Sequence, residues 1–270
     1  MWLTKVLITT LLVLSLPVKS GEFIFQAGGL SGQTDSSAEF GMPILGAKMK
    51  LDAEKHLTLP EKVISPYLEV TYKLDNNHAF FIDWRSLHRK ASQTYISKNV
   101  DVLGHNLQAM VDTDISLNLD IARIGYAHNL FENDKWRFDG LIGLHIMNIK
   151  TSGNIDATMT IDGQEHSKSL TSPGESKLAP LPNVGIKARY NITPNLTISS
   201  HLQAFMVSTY TLDGFLSDAS IGLDYKVTKD FSVHANYNYY SISADYGDSL
   251  LNANLELSFS GPMLAVSYAF

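Results

Sequence analysis

Two-residue alternation of apolar and polar side chains runs through most of this 270-residue chain. Leu68, Val70 and Tyr72 interleave with Glu69, Thr71 and Lys73. Val184, Ile186, Ala188 and Tyr190 interleave with Asn183, Gly185, Lys187 and Arg189. Trp136, Phe138, Ile142, Leu144 and Ile146 share one parity, with Arg137, Asp139, Gly143 and His145 on the other. Successive side chains of a strand point to opposite faces, so each stretch reads as a strand with one greasy face. A helical stripe fits none of them. The chain is all-β.

The connections sort into two kinds. Short turns rich in Asn, Asp or Pro occur at LDNNH (74–78), NLFENDK (129–135), ITPNL (192–196) and VTKDF (227–231). Longer segments at 92–111, 153–175, 211–216 and 245–252 separate them. Strict alternation of short and long connections is what an up-and-down membrane barrel requires. Tyr72, Phe80, Phe131, Trp136, Phe138, Tyr190, Tyr225, Phe231, Tyr268 and Phe270 gather beside the short turns. Aromatics at one level form an interfacial girdle. The expected fold is a closed antiparallel transmembrane β-barrel.

Residues 1–20, MWLTKVLITTLLVLSLPVKS, have the layout of a cleaved secretory signal: Lys5, an eleven-residue largely apolar run at 6–16, the breaker Pro17 and the small Ser20. Cleavage would leave 21–270 as a single barrel domain. It would remove Lys5 and Lys19 and no acid, so 21 basic residues become 19 against 27 acidic ones. An acidic chain has no surplus of cations to neutralise phosphates, which excludes nucleic acid as a partner. There is no cysteine, so neither disulfides nor a lipid-anchor thiol is available.

The stretch GPMLAVSYAF (261–270) carries Leu264, Val266, Tyr268 and Phe270 on one face. With the signal and the alternating connections, these residues resemble the outer-membrane β-barrel superfamily, the small opacity-type barrels in particular. The resemblance implies a Gram-negative outer membrane reached by the general secretory route, with outer-membrane lipid and lipopolysaccharide as surroundings. It further implies that the barrel assembly machinery reads Leu264, Val266, Tyr268 and Phe270. No cofactor or metal is implied.

Nine strands are legible at 64–74, 78–91, 112–129, 135–152, 176–192, 195–211, 215–228, 231–245 and 252–270. Bacterial barrels take even numbers, so 22–32 supplies the tenth, with eight or twelve strands as alternatives. Residues 33–63 are then a long outer or lumen-plugging segment. The apolar parity switches at Ala122–Arg123, Tyr240–Ser241 and Gly261–Pro262, which reads as three bulges.

The inward faces are expected to carry Glu69, Asp83, Asp120, Asp139, Asp224 and Glu256, with Arg85, Arg137, Lys187, Arg189 and Lys226, and the histidines His145, His201 and His234. Six acids against five bases predict a lumen of mutually neutralising pairs. Catalytic signals are weak. GGLSG (28–32) lacks the G-x-S-x-G spacing, and its glycines read as close-packing positions. Ser200 and His201 fall on opposite faces. A loop dyad of His105 or His166 with Asp101 or Asp162 is conceivable but carries no motif. The expected function is a structural or surface-interaction barrel that is not an enzyme. The alternative is a narrow porin-like channel for small solutes.

Overall fold

The computed structural model describes residues 21–42, 47–96, 100–102, 105–161, 164–247 and 252–270. Residues 1–20, the expected signal, lie outside the described part. The strands are β1 (Glu22–Met42), β2 (Ala47–Asp52), β3 (Lys62–Lys73), β4 (His78–Ile96), β5 (Val100–Val102) and β6 (His105–Glu132). They continue as β7 (Trp136–Ile161), β8 (Gln164–Thr193), β9 (Leu196–Ser208), β10 (Leu212–Lys226), β11 (Phe231–Gly247) and β12 (Asn252–Ala269). All described elements are strands.

Ten of these strands form one antiparallel ring, β1-β3-β4-β6-β7-β8-β9-β10-β11-β12, and β12 returns to β1. Closure is tight. Phe23 and Phe270 exchange two backbone hydrogen bonds of 2.9 Å, and the Phe25 and Phe270 rings stack at 5.1 Å. A Cβ on Gly28 would fall 2.4 Å from the Leu264 carbonyl oxygen, and one on Gly261 would fall 2.2 Å from that of Ser31. Glycine lets the first and last strands approach this closely.

The aromatic girdle is real and lines the side of the short turns. Phe23 packs on Tyr72 at 4.5 Å, Phe80 on Tyr126 at 5.3 Å and Trp136 on Tyr190 at 4.6 Å. Above it Ile142, Val184, Ile186, Ile221 and Leu264 are exposed on the outer wall. This is an apolar band facing lipid, and the fold is that of a transmembrane barrel.

The described residues of 33–63 are partly strand and partly a lumen cap. β1 runs on to Met42 and pairs with β2, which is collinear with β3: Ser37 faces Asp52, and Gln33 faces Lys62. Between them the chain makes an excursion at 53–61. Thr58 takes a φ of 55°, a left-handed turn that a β-branched residue seldom adopts, and the following Leu59 is buried. Glu54 is held by Arg89 and donors of Ser36, side chains that share their faces with buried Leu87 and Leu30. The excursion therefore caps the upper lumen from inside. The segments expected as outer loops at 92–111 and 153–175 are instead largely strand, because β6, β7 and β8 extend as long hairpins beyond the apolar band. Sheet hydrogen bonds there need no lipid to enforce them.

The three expected bulges are absent. Register is continuous through Ala122–Arg123, Tyr240–Ser241 and Gly261–Pro262. The described register shifts fall at Asn129/Phe131, Thr151/Gly153 and Asn191/Thr193. What changes at the three sites is the environment, not the backbone. Below them apolar residues face outward to lipid: Ile124 on β6, Tyr237 and Tyr239 on β11, Leu264 and Val266 on β12. Above them apolar residues face inward: Leu119 and Ile121, Tyr240 and Ile242, Phe259. The barrel is inside-out in the membrane and an ordinary hydrophobic-core protein beyond it.

One outer face should therefore tolerate charge at one height and not at another. Ile142→Arg, in the lipid band, is expected to cost about 2–4 kcal/mol, whereas Ser258→Arg, outward above the switch, should cost under about 1 kcal/mol. Denaturant unfolding in lipid vesicles measures both; equal losses would contradict the inversion.

Candidate functional site: the lumen constriction

β4 and β10 stand five strands apart either way around the ring, so a contact between them spans the full lumen. Arg85 of β4 reaches Asp218 of β10, Nη2 to Oδ2, at 3.1 Å. Arg123 of β6 donates to Asp83 at 2.7 Å, to Asp218 at 2.8 Å and to Gln203 of β9 at 2.7 Å. Gln203 donates to Asn183 of β8 at 3.0 Å, and Asn183 donates to His145 Nδ1 at 2.6 Å. His145 Nε2 lies 3.6 Å from Asp218, and His201 Nε2 lies 3.2 Å from its other oxygen. Strand parity turns each of these side chains inward, and the register between strands brings them to one height. Together two arginines and two aspartates neutralise each other, with two histidines around them.

Asp83, Asp218, His145 and Gln203 are at most 1 % exposed. Charges so deprived of water are tolerable only when paired and hydrogen-bonded. Arg85 also stands over the Tyr67 and Tyr240 rings at 5.7 and 5.8 Å, which joins the ionic layer to an apolar one above it. That layer comprises Leu30, Leu87, Leu119, Ile121, Leu216 and Phe259, with Tyr240 stacked on Phe259 at 4.9 Å and its hydroxyl 3.3 Å from the Met147 sulfur. Burying each large apolar side chain contributes about 1.5–3 kcal/mol. Arg89 and Glu54 form a third, polar layer with Thr34 and Ser36.

Of the expected lumen charges, Asp83, Arg85, His145 and His201 converge on this constriction. Arg137, Asp139 and Arg189 form a separate cluster at the short-turn mouth, Asp139 receiving Arg137 at 2.9 Å and Arg189 at 2.8 Å. Glu69 faces inward and accepts from Thr71 at 3.0 Å. Lys187 faces Asp139 across the β7–β8 pair, and Lys226 is exposed at the mouth. Asp120 and Glu256 are on the outer wall, since Ile121 and Phe259 beside them point inward; Asp120 meets exposed His88 at 3.1 Å. Both were misplaced by the polarity inversion, which also hid Arg123. Asp218, within the polar run SDAS, has no alternation around it to signal its face.

One constellation has hydrolase-like geometry. His234 lies 2.8 Å from Asp224 through Nδ1 and 2.8 Å from Ser267 through Nε2, the atom order of a Ser-His-Asp triad that sequence reasoning missed. Ser267 sits in a strand laddered on both sides, by Gln26 and by Ser232, so its neighbouring backbone N–H groups are engaged and no oxyanion hole faces it. His166 is exposed on β8; Asp162 and the side chains of Asp101 and His105 lie outside the described residues. No group of three His, Cys, Asp or Glu side chains suited to a metal occurs among the described residues.

The profile of one protein family matches residues 67–259, more than two thirds of the chain and every strand that contributes to the constriction. The chain belongs to the DUF481 family. Its description is "Protein of unknown function, DUF481". No curated protein sequence matches the chain. Among solved structures, the barrel resembles the outer membrane protease OmpT of Escherichia coli, with a TM-score of 0.55 and 10% identity over 95% of this chain and 99% of that one. At that identity the likeness speaks for the outer-membrane barrel fold. Outer membrane protein OprG of Pseudomonas aeruginosa superposes with a TM-score of 0.35 and 12% identity, over 93% of this chain and 97% of that one.

Asp218 is the hub: without it Arg85 keeps only Asp83, at 4.0 Å, and Arg123 loses one of its two carboxylates. Asp218→Ala is expected to lower stability by about 3–5 kcal/mol, the usual cost of orphaning a buried charge. Denaturant titration followed by loss of the folded, heat-modifiable band measures it; a loss under about 1 kcal/mol would show that the pairs are not dry.

Proposed function

We propose that this DUF481 protein works in a Gram-negative outer membrane as a non-catalytic, closed barrel that presents its long extramembrane hairpins as an interaction surface. The observation that carries this reading is the Arg85–Asp218 contact across the whole lumen, backed by the apolar layer and the Glu54–Arg89 cap above it. A solute path would have to break all three layers. The extended β6, β7 and β8 project polar side chains such as Asn154, Asp156, His166 and Lys168, all exposed, where a surface partner would meet them. Lipopolysaccharide and outer-membrane lipid would surround the apolar band. Leu264, Val266, Tyr268 and Phe270 form the closing strand's outer face, and we assign them the assembly-signal role.

Reconstitution into planar bilayers tests the reading. Wild-type barrel is expected to be electrically silent, while the double variant Arg85→Ala/Arg123→Ala, which removes the cross-lumen side chains, should raise leak current. Discrete open channels from wild-type protein would overturn the closed barrel in favour of a narrow porin.

A further inference from the structure

The wall of this barrel is not laddered to an even height. β8 and β9 pair only up to Val184 and Ala204. Beyond that point β8 continues against β7 as far as Gln164, and β9 continues against β10 as far as Ser208. Their facing edges run on with no cross-strand pairing. The cause is in the sequence: Pro182 and Pro180 take the next two positions of Val184's parity, and proline brings no N–H to a ladder.

The height of this seam follows from strand geometry. Tyr190 marks the girdle on β8. At about 3.3 Å per residue and a tilt of about 40°, Val184 lies about 15 Å above it and Pro180 about 25 Å. The lipid-facing band of such barrels is about 25 Å tall. The seam therefore opens at the depth of the outer leaflet. An open sheet edge is costly in hydrocarbon, and two prolines reduce the unpaired donors there.

Its lining is apolar on both sides. Outside are Val184 and Met206, which are 64% and 76% exposed. Inside are Leu181 and Phe205, partly buried and packed on the lumen's apolar layer. A second interrupted pairing exists between β3 and β4, where the ladder stops at Tyr67/Arg85 and Pro66 follows. That one is backed by the polar Glu54–Arg89 pair beside Val63 and Leu87, whereas behind the β8–β9 seam stand the apolar Leu181 and Phe205.

We propose that the β8–β9 seam is a lateral binding site for one acyl chain of an outer-leaflet lipid, with Phe205 and Leu181 as its floor. The occupant follows from continuity: the seam is a break in a surface already facing hydrocarbon, and its rim offers apolar contacts. The site rests on the outer-membrane placement proposed above.

The test uses the full chain in cells grown on radiolabelled acetate, which marks all lipid acyl chains. A benzophenone amino acid replaces Phe205 in one variant and lipid-facing Tyr237 in another, and both are irradiated in intact outer membranes after heat modifiability confirms folding. Radiolabel is expected on both, with gel mobility separating phospholipid from lipopolysaccharide adducts. Pro180→Val/Pro182→Val, which restores the ladder donors, should abolish labelling at position 205 and leave position 237 labelled. Labelling at 237 without any at 205 would overturn the seam site alone. Labelling at 205 unchanged by the valines would show entry by another route and overturn it equally. Absence of label at both would overturn the membrane placement and the seam together.

Discussion

Asp218 is shared by Arg85 and Arg123, with His145 and His201 at its flanks, and so ties β10 to β4, β6, β7 and β9 across the lumen. A ten-strand ring of backbone hydrogen bonds fixes a circumference but leaves an interior that side chains must fill. Filling it with charge alone would demand water, and filling it with hydrocarbon alone would leave the inward arginines orphaned. The chain does both, in layers, and the rings of Tyr67 and Tyr240 against the Arg85 guanidinium make the junction.

That layering makes sense of a barrel whose strands outgrow the membrane. In lipid, the outer wall must be apolar and the lumen can be polar. Above lipid, the hydrophobic effect acts as in any soluble protein and drives Leu119, Ile121, Ile242 and Phe259 inward. Strand parity is untouched, so one continuous strand such as β12 buries Phe259 inside and exposes Leu264 outside. The membrane's outer edge can be read from the positions where polarity changes sides.

The fold class and the ten-strand count were legible because alternation and turn chemistry are local properties that survive into the folded chain. Strand ends near the short turns were legible for the same reason. The interior was legible only in part. Asp83, Arg85, Asp139, His145 and His201 lie on strands whose apolar face meets lipid, so their inward direction could be inferred. Asp120 and Glu256 lie where the apolar face is the inner one, and the same inference turned them the wrong way. Arg123 and Asp218 needed the register with distant strands, which no local pattern contains. Nor could alternation distinguish a loop at 153–175 from a hairpin continuing in water, since neither face there is consistently apolar.

The central claim is that opposite walls touch through Arg85 and Asp218. A double-mutant cycle of Arg85→Ala and Asp218→Ala, read by unfolding in lipid vesicles, measures that contact directly because the two strands share no backbone pairing. Contacting residues couple by about 0.5–3 kcal/mol, and this account predicts a value in the upper half of that range. Additive losses, with no coupling beyond error, would mean that the walls do not meet and that the lumen is open.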